Sequence, residues 1–365
     1  MIRALVVDDE EPARDRLRGM LQGVEELEVI AEAEDGDDAL AKIESYRPDL
    51  VFLDIQMPGR SGMEVAAALT PPRPRIVFCT AFDQYAIEAF DHYAVDYLLK
   101  PLNRDRLTRA LDRVRRSIDD QERHRRDVAD ASATQARLLP QSTPSGSGLD
   151  LHGVCRAARG VGGDYYDFFP VGAGRIGMAL GDVSGKGLFA GLLVAGLQAR
   201  VQSLAPRHGA EVSRLAEELN DVMHVTTDAN RYATLFYGVY DEQARRLTWF
   251  NAAHTPPLLF RASTGAVEPL ATTGTAIGLL SGARYRSRSL DLMSGDILLA
   301  FSDGLPESWR ADEEEFGEAR LRELVARNAG LTAVKLVGRV LAEVDAFRGD
   351  RPLRDDLTVV VAKVS

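Results

Sequence analysis

Side chains suited to phosphoryl transfer stand at the ends of apolar, strand-like runs in the first third of the chain. They are Asp8 and Asp9 after IRALVV, Asp54 after LVFL, Thr80 at the end of RIVFCT, and Lys100 after DYLL. Carboxylates that share a crevice resist ionisation unless a cation such as Mg²⁺ neutralises them. A hydroxyl and an ammonium group beside the ion could hold phosphoryl oxygens, and one carboxylate could be the nucleophile. Any single acid could be a helix cap, but the set together favours one shared site.

The elements that must position these residues alternate between β-branched runs and amphipathic helical segments. The helical segments are EPARDRLRGML, DGDDALAKIESY, MEVAAAL and FDQYAIEAFDHY. Continuous apolar strands separated by helices predict an α/β fold with a five-stranded parallel sheet covered on both faces. Such sheets bind ligands at the carboxyl ends of their strands, which is where the acids stand.

Residues 1–118 resemble a response-regulator receiver domain, with a flavodoxin-like fold. The matching motifs are the Asp8–Asp9 pair, FLDIQMPG around Asp54, Thr80–Ala81 and Lys100–Pro101. The resemblance implies that Asp54 accepts phosphate from a sensor histidine kinase, assisted by Thr80 and Lys100. The sequence around Thr80 is most similar to that of receivers that precede LytTR DNA-binding domains, but no such domain follows here.

The receiver resemblance also implies a Mg²⁺ site and a switch. The implied ligands are Asp9, Asp54, the carbonyl of Gln56 and, through water, Asp8. It further implies a cis Lys100–Pro101 bond and an aromatic switch at Tyr97, working with Thr80. An ordinarily packed tyrosine is the alternative for Tyr97.

A second set of acids stands beside glycine or another acid in the C-terminal two thirds. These are Asp164 in GGDYYDF, Asp182 in GDVSGKG, Asp303 in FSDG, and Asp355 and Asp356 in RDD. Asp–Gly alone is a common turn dipeptide. Carboxylates gathered from distant segments fit a two-metal centre that polarises a phosphate and activates water. Glycines beside them would let backbone approach the site closely.

Two other interpretations of this region are weaker. GDVSGKG is not a P-loop, because Leu180 stands at the position of the first glycine and Gly187 replaces the Ser/Thr. His254 in FNAAHTPPLLF could be catalytic, but a structural histidine at a strand end is the better interpretation.

The pattern after residue 141 is rich in strands, with two long helical stretches at 188–204 and 211–226. The strand-like segments include RYATLFYGVYD, RLTWFNAA, PLLFRA, YRSRSLDL, DILLAFSD and LTVVVAKV. This pattern predicts a layered α/β sandwich built on antiparallel sheets.

This segment resembles the bacterial PPM-type (PP2C-like) serine phosphatases of the SpoIIE and RsbU group. The motifs that carry the resemblance are QARLLP, VGGDYYDF, GDVSGKG, RYATLFYGVYD, NAAHTPPLL, FSDGLPE and DDLTVV. The resemblance implies an α/β–β/α sandwich, a protein-serine phosphatase activity and two Mn²⁺ or Mg²⁺ ions. The family's substrates imply a phosphoserine STAS-domain anti-sigma-factor antagonist as partner.

The phosphatase resemblance carries metal roles over to individual residues. Asp182 would bridge both metals, and the Val183 carbonyl would join one of them. Asp164 would lie on or beside the first metal. Asp303 and Asp355 would hold the second, in preference to Asp356, which stands where eukaryotic relatives carry asparagine. The eukaryotic DGH motif is absent here, so the acid that protonates the leaving group is unassigned. Ala253 replaces a usual glycine in NAAH.

Between the two regions, residues 103–139 form one helical pattern bounded by Pro101 and Pro140. Fully helical, it would be about 55 Å long at roughly 1.5 Å per residue. Its seam is apolar at both ends and polar in the middle: Leu107, Leu111, Val114, Ile118, Gln121, Arg125, Val128, Ser132, Gln135 and Leu139. We expect either a solvated spacer or a dimerising coiled coil, with domain limits of 1–118, 119–140 and 141–365.

The overall composition narrows the possible functions. A net charge of −11 over 365 residues argues against nucleic acid as the main partner. With two distant cysteines, no signal peptide and no apolar run near 18 residues, we expect a cytoplasmic protein without a membrane partner. Beside a phosphorylation-controlled phosphatase, a non-catalytic adaptor released on receiver phosphorylation stays open. A DNA-binding transcription factor is not expected, because the sequence lacks a basic helix-turn-helix segment.

Overall fold

The computed structural model describes residues 1–81, 94–144, 148–172, 174–228 and 231–365. These residues form two compact units, 1–125 and 126–365. The helical prediction for FDQYAIEAFDHY lies outside the described residues. Cys79 and Cys155 are both free thiols.

The first unit is built on the predicted five-stranded parallel sheet, and its strand order is β2-β1-β3-β4-β5. Its elements are β1 (Ile2–Val7), α1 (Glu11–Leu21), β2 (Leu27–Ala33), α2 (Gly36–Tyr46), β3 (Leu50–Leu53), α3 (Gly62–Ala68), β4 (Arg75–Thr80), β5 (Ala94–Leu99) and the start of α4 (Arg104–Leu138). Two apolar clusters cover opposite faces of the sheet, and buried strands such as LVFL explain why the runs are continuously apolar. The predicted phosphoryl-transfer residues Asp8, Asp9, Asp54, Thr80 and Lys100 stand at or just beyond the carboxyl end of a strand, whereas Tyr97 lies within β5.

Helix α4 is continuous over Arg104–Leu138, and its first turns belong to the receiver core. Leu107, Leu111 and Val114 are at most 4% exposed, and Ile118 packs against the same cluster. The apolar start of the seam is therefore accounted for without a facing helix, and the dimerising coiled coil stays a prediction. The receiver sheet supplies their partner surface, and the periodicity alone does not distinguish the two.

Further contacts fix the helix to the first unit. Arg113 donates to the buried Asp96 at 2.8 Å, and Arg75 donates to the side chain of Gln121. Gln121 thus has a partner in its own unit, and it is not simply a weak point in a coiled-coil seam.

The second unit is a four-layer sandwich of helices, two antiparallel sheets and helices. Its elements are β6 (Leu149–Arg156), β7 (Asp164–Pro170), β8 (Arg175–Val183), α5 (Leu188–His208), α6 (Val212–Thr226), β9 (Ala233–Asp241), β10 (Arg246–Ala252), β11 (Leu258–Phe260), β12 (Val267–Pro269), β13 (Arg288–Asp291), β14 (Ile297–Phe301), α7 (Glu318–Arg327), α8 (Ala333–Arg348) and β15 (Leu357–Val364). The sheets have the orders β13-β10-β9-β8-β7 and β12-β11-β14-β15-β6. One apolar cluster lies between the sheets, and one lies under each helical layer.

The helical stretches predicted at 188–204 and 211–226 are confirmed as α5 and α6, and α7 and α8 are further helices that the pattern was not used to predict. Helices α7 and α8 form the layer that covers the second sheet. The signal was present in the sequence, because Leu336, Val337, Val340, Leu341 and Val344 have helical spacing and are buried. Thr332 caps α8 by accepting from the Lys335 N–H.

The expectation of no membrane-length segment also needs correction. Among the described residues, helix α5 is long and apolar enough to span a membrane by length and composition alone. Its residues Val194, Leu197 and Val201 are at most 1% exposed and belong to the cluster under the first sheet. That packing accounts for its apolar composition.

Candidate functional sites

The receiver acids meet at the carboxyl ends of β1 and β3. Carboxylate oxygens of Asp8, Asp9 and Asp54 all lie within 4.8 Å of one another. Asp8 and Asp54 are 5% exposed, whereas Asp9 is exposed. Three carboxylates this close form a donor set that a hard divalent cation suits. The exposed Gln56 lies in the same surface depression as Asp9.

Lys100 joins the acids to the end of β5. Its Nζ lies 2.7 Å from Asp8 Oδ2 and 2.6 Å from Asp54 Oδ2. Burial raises the pKa of Asp8 above its usual value. Burial alone would lower the pKa of Lys100, but its hydrogen bonds to Asp54 and Asp8 outweigh burial and raise it. The Lys100–Pro101 peptide is cis, as the receiver resemblance implied.

The Asp54 carboxylate is held by its own loop and by Lys100. Its Oδ1 accepts from the Ile55 N–H at 2.6 Å, while Oδ2 faces Lys100. The Thr80 hydroxyl is completely buried and has no hydrogen-bond partner among the described residues. An unsatisfied buried hydroxyl is costly, and a phosphoryl oxygen at Asp54 would offer it a partner. Tyr97 is 7% exposed in the core, so its switch role stays a prediction.

In the second unit, two strand pairs bring the other acids together. Asp164 and Asp182 are register partners on β7 and β8. Asp303 follows β14, Asp355 precedes β15, and β14 pairs with β15. Burial and the charges of Asp303 and Asp355 raise the pKa of Asp182 to about 7. Burial and Asp355 also raise the pKa of Asp303. Mutual repulsion of this kind is relieved by bound cations.

Glycines leave room for ions and close backbone packing around these acids. A Cβ at Gly163 would lie 2.8 Å from the Val183 carbonyl and 3.1 Å from Asp182 Oδ1. A Cβ at Gly304 would lie 2.1 Å from the Asp356 carbonyl. The space beside Val183 and Asp182 is therefore kept clear by the absence of a side chain. The residues present fit a centre of divalent cations.

Two of the acids are engaged in other contacts. Asp164 is 3% exposed, and its Oδ2 accepts from the Thr358 hydroxyl at 2.5 Å. Burial raises its pKa well above the usual value. Asp356 accepts from the N–H groups of Ala158 and Gly163 at 2.8 and 2.6 Å. Both Asp356 oxygens thus hold the backbone of the loop before β7, which agrees with its lower ranking as a ligand.

His254 is a core residue. It is 3% exposed, its Nδ1 lies 2.8 Å from the Thr234 hydroxyl, and burial lowers its pKa to about 4. This placement agrees with the structural interpretation.

Comparison with known families assigns both units. The family model described as Stage II sporulation protein E (SpoIIE) matches residues 172–365, which is more than half of the chain. The chain belongs to the SpoIIE family. The response regulator receiver domain model matches residues 4–112.

Solved structures show the fold of the SpoIIE-family unit. The SiaA-PP2C domain of Pseudomonas aeruginosa superimposes with a TM-score of 0.60 at 19% identity, over 67% of this chain and 99% of that one. The PP2C phosphatase domain and regulatory fragment of SpoIIE from Bacillus subtilis gives 0.52 at 22% identity, over 60% and 62%. The second unit therefore has the PP2C fold.

Curated relatives match a little over a third of the chain. The transcriptional regulatory protein BtsR of Salmonella typhi is 48% identical over 143 residues, which are 39% of this chain and 54% of that protein. The sensory transduction protein LytT of Bacillus anthracis is 40% identical over 136 residues. The chain spans about half the length of these relatives.

Sequence reasoning missed how the end of α4 meets the SpoIIE-family unit. Gln135 Oε1 accepts from the Gly162 N–H at 2.9 Å, and its Nε2 donates to the Gly162 carbonyl at 2.7 Å. Gln198 on α5 donates to the Leu138 carbonyl at 2.5 Å. The QARLLP motif contained Gln135, but nothing in its spacing identified Gly162 as the partner. Gly162 directly precedes Gly163, which borders the acidic site.

Proposed function

We propose that the chain is a response regulator whose output is a Mn²⁺- or Mg²⁺-dependent protein-serine phosphatase. The observation that carries the proposal is the electrostatic interaction of Asp182 with Asp303 and Asp355 on a PP2C fold, with space beside Asp182 and the Val183 carbonyl. Divalent cations in such a site polarise a phosphate and lower the pKa of a bound water. Asp182 would bridge two ions, Asp303 and Asp355 would hold the second, and Asp164 would support the first.

The receiver acids support control by phosphorylation. Asp54 would accept phosphate from a sensor histidine kinase, with Mg²⁺ on Asp8, Asp9, Asp54 and the Gln56 carbonyl. Thr80 and Lys100 would hold the phosphoryl oxygens. Tyr97 would respond to the phosphorylated state.

The proposed substrate is a phosphoserine STAS-domain anti-sigma-factor antagonist, so the protein would act in a partner-switching pathway. A homodimer through α4 stays a prediction, but it loses the support of the apolar seam, which the receiver core buries. The cytoplasmic setting and the domain limits 1–118, 119–140 and 141–365 also stay predictions.

The deciding experiment measures hydrolysis of p-nitrophenyl phosphate and of a phosphoserine peptide with Mn²⁺, with and without an acyl-phosphate donor. We expect Mn²⁺-dependent turnover that changes on addition of the donor and disappears in Asp182→Asn. Turnover that does not need Asp182 or a divalent cation would refute the phosphatase proposal. Full signalling by Asp182→Asn would favour the adaptor instead.

A further inference from the structure

Lys186 has an unusual position in the acidic site. It lies in the GDVSGKG loop between β8 and α5, and its Nζ is 2.8 Å from Asp355 Oδ2. The same ammonium group lies 3.4 Å from the Arg354 carbonyl. Among the described residues, no other salt bridge involves Asp182, Asp303 or Asp355. The positive charge of Lys186 therefore occupies one side of the cation site.

The ammonium group and a divalent cation would compete for Asp355. A carboxylate oxygen that accepts from Nζ at 2.8 Å has that direction filled, and two cations a few ångströms apart repel each other. The lysine lies in a loop flanked by glycines. Gly185 and Gly187 flank Lys186 with φ values of 111° and 75°, a region that favours glycine. The side chains of Lys186 and Asp355 are 49% and 44% exposed, so little packing opposes their separation.

We propose that the Lys186 side chain competes with the second metal ion for Asp355. Its ammonium group pairs with Asp355 in the metal-free protein and moves away when a divalent cation binds there. The inference rests on the proposed function, because it takes Asp303 and Asp355 as ligands of that ion. Lys186 thus sets the metal concentration at which the centre becomes complete.

The test measures Mn²⁺ binding to the metal-stripped full chain by calorimetry and by the electron paramagnetic resonance of free Mn²⁺. All proteins carry Asp9→Asn, which removes an acid from the receiver's own cation site. We expect Lys186→Met to tighten Mn²⁺ binding by about two- to fivefold, the range for a half-exposed ion pair. Lys186→Gln should behave alike, and Lys186→Arg should stay near the parent protein. Lys335→Met removes an exposed lysine on α8 and serves as the matched control.

The outcomes separate this inference from the proposed function. If Asp355→Asn loses a Mn²⁺ site while Lys186→Met binds no more tightly, the competitor proposal is wrong and the metal centre stands. Equal tightening in Lys186→Met and Lys335→Met would also overturn the proposal, since general charge would then be the cause. If neither Asp182→Asn nor Asp355→Asn changes Mn²⁺ binding, the metal centre fails, and the proposal for Lys186 fails with it.

Discussion

Replacing Gln135 by leucine tests whether the end of α4 controls the metal-site loop. The leucine keeps similar volume and helix propensity but removes both hydrogen bonds to Gly162. Each bond contributes about 1 kcal/mol net, so the loss is about 2 kcal/mol. For a unit of this size we expect a fall of about 4–8 °C in its Tm.

The effect on activity follows from the position of Gly162. Gly163, the next residue, donates to Asp356 and accepts from the Val183 N–H at 3.0 Å. Freeing Gly162 therefore loosens the loop beside Asp182 and the Val183 carbonyl. If 2 kcal/mol is lost from the competent arrangement, the competent fraction falls by up to about thirtyfold. Added Mn²⁺ should offset this loss by mass action, because it binds the competent arrangement.

The assay is a Mn²⁺ titration of p-nitrophenyl phosphate hydrolysis by the full chain. We expect the half-saturating Mn²⁺ concentration of Gln135→Leu to rise by about tenfold or more, with activity recovering at high Mn²⁺. Thr134→Ala, at the exposed neighbouring position, should leave both Mn²⁺ dependence and Tm unchanged. A fall in Tm with Mn²⁺ dependence within about twofold of the wild type would refute the reasoning. Gln135 would then only fasten the helix to the unit.

Further predictions concern the two sites and the helix. Asp54→Asn should abolish phosphorylation by a small-molecule donor, because an amide is a poor nucleophile. Phos-tag electrophoresis checks this, and retained phosphate would contradict the proposal that Asp54 is the phosphorylated residue. The raised pKa of Asp182, about 7, means that folding favours its protonated form. In EDTA the Tm of the second unit should therefore fall as pH rises from about 5 to 8, and it should fall less in Asp182→Asn. Calorimetry measures this, and a rise in Tm over the same pH range would disprove the prediction. Val128→Asp, on the helix beside Gly160, should uncouple phosphatase rate from Asp54 phosphorylation, and an unchanged response would count against helix-mediated control. Light scattering with and without acyl phosphate tests the homodimer, which fails if both states are monomeric.

Most of the receiver could be predicted from the sequence, because each of its strands and site residues is recognised from residues that are neighbours in the chain. The central strands are largely continuous apolar runs, and the predicted phosphoryl-transfer residues end or follow a strand. Once the sheet is parallel, Asp8, Asp54 and Lys100 must lie at the same edge. The observed contacts of Lys100 with both acids are a direct consequence.

The SpoIIE-family site was only partly predictable, because its key contacts join residues far apart in the chain. The acids could be recognised by their motifs, but the hydrogen bonds of Asp356 to Ala158 and Gly163 could not. Neither partner is marked by residue type, since both contribute backbone N–H groups. Lys186 likewise looks like an ordinary loop lysine until the fold places it against Asp355.

The helix shows why periodicity alone misassigns a partner. A seam of Leu107, Leu111, Val114 and Ile118 fits a coiled coil and the face of a sheet equally well, because both need only one apolar stripe. The two cases differ in whether the sheet has an apolar face that no other helix covers. In this receiver the face with Leu50, Phe52 and Val77 needs a cover, and the first turns of α4 supply it. A helix that continues beyond the sheet must then find new partners, and Gln135 finds them in the backbone of Gly162. The same helix thus contributes apolar side chains to the core of one unit and, through Gln135, a polar contact with the backbone of the other.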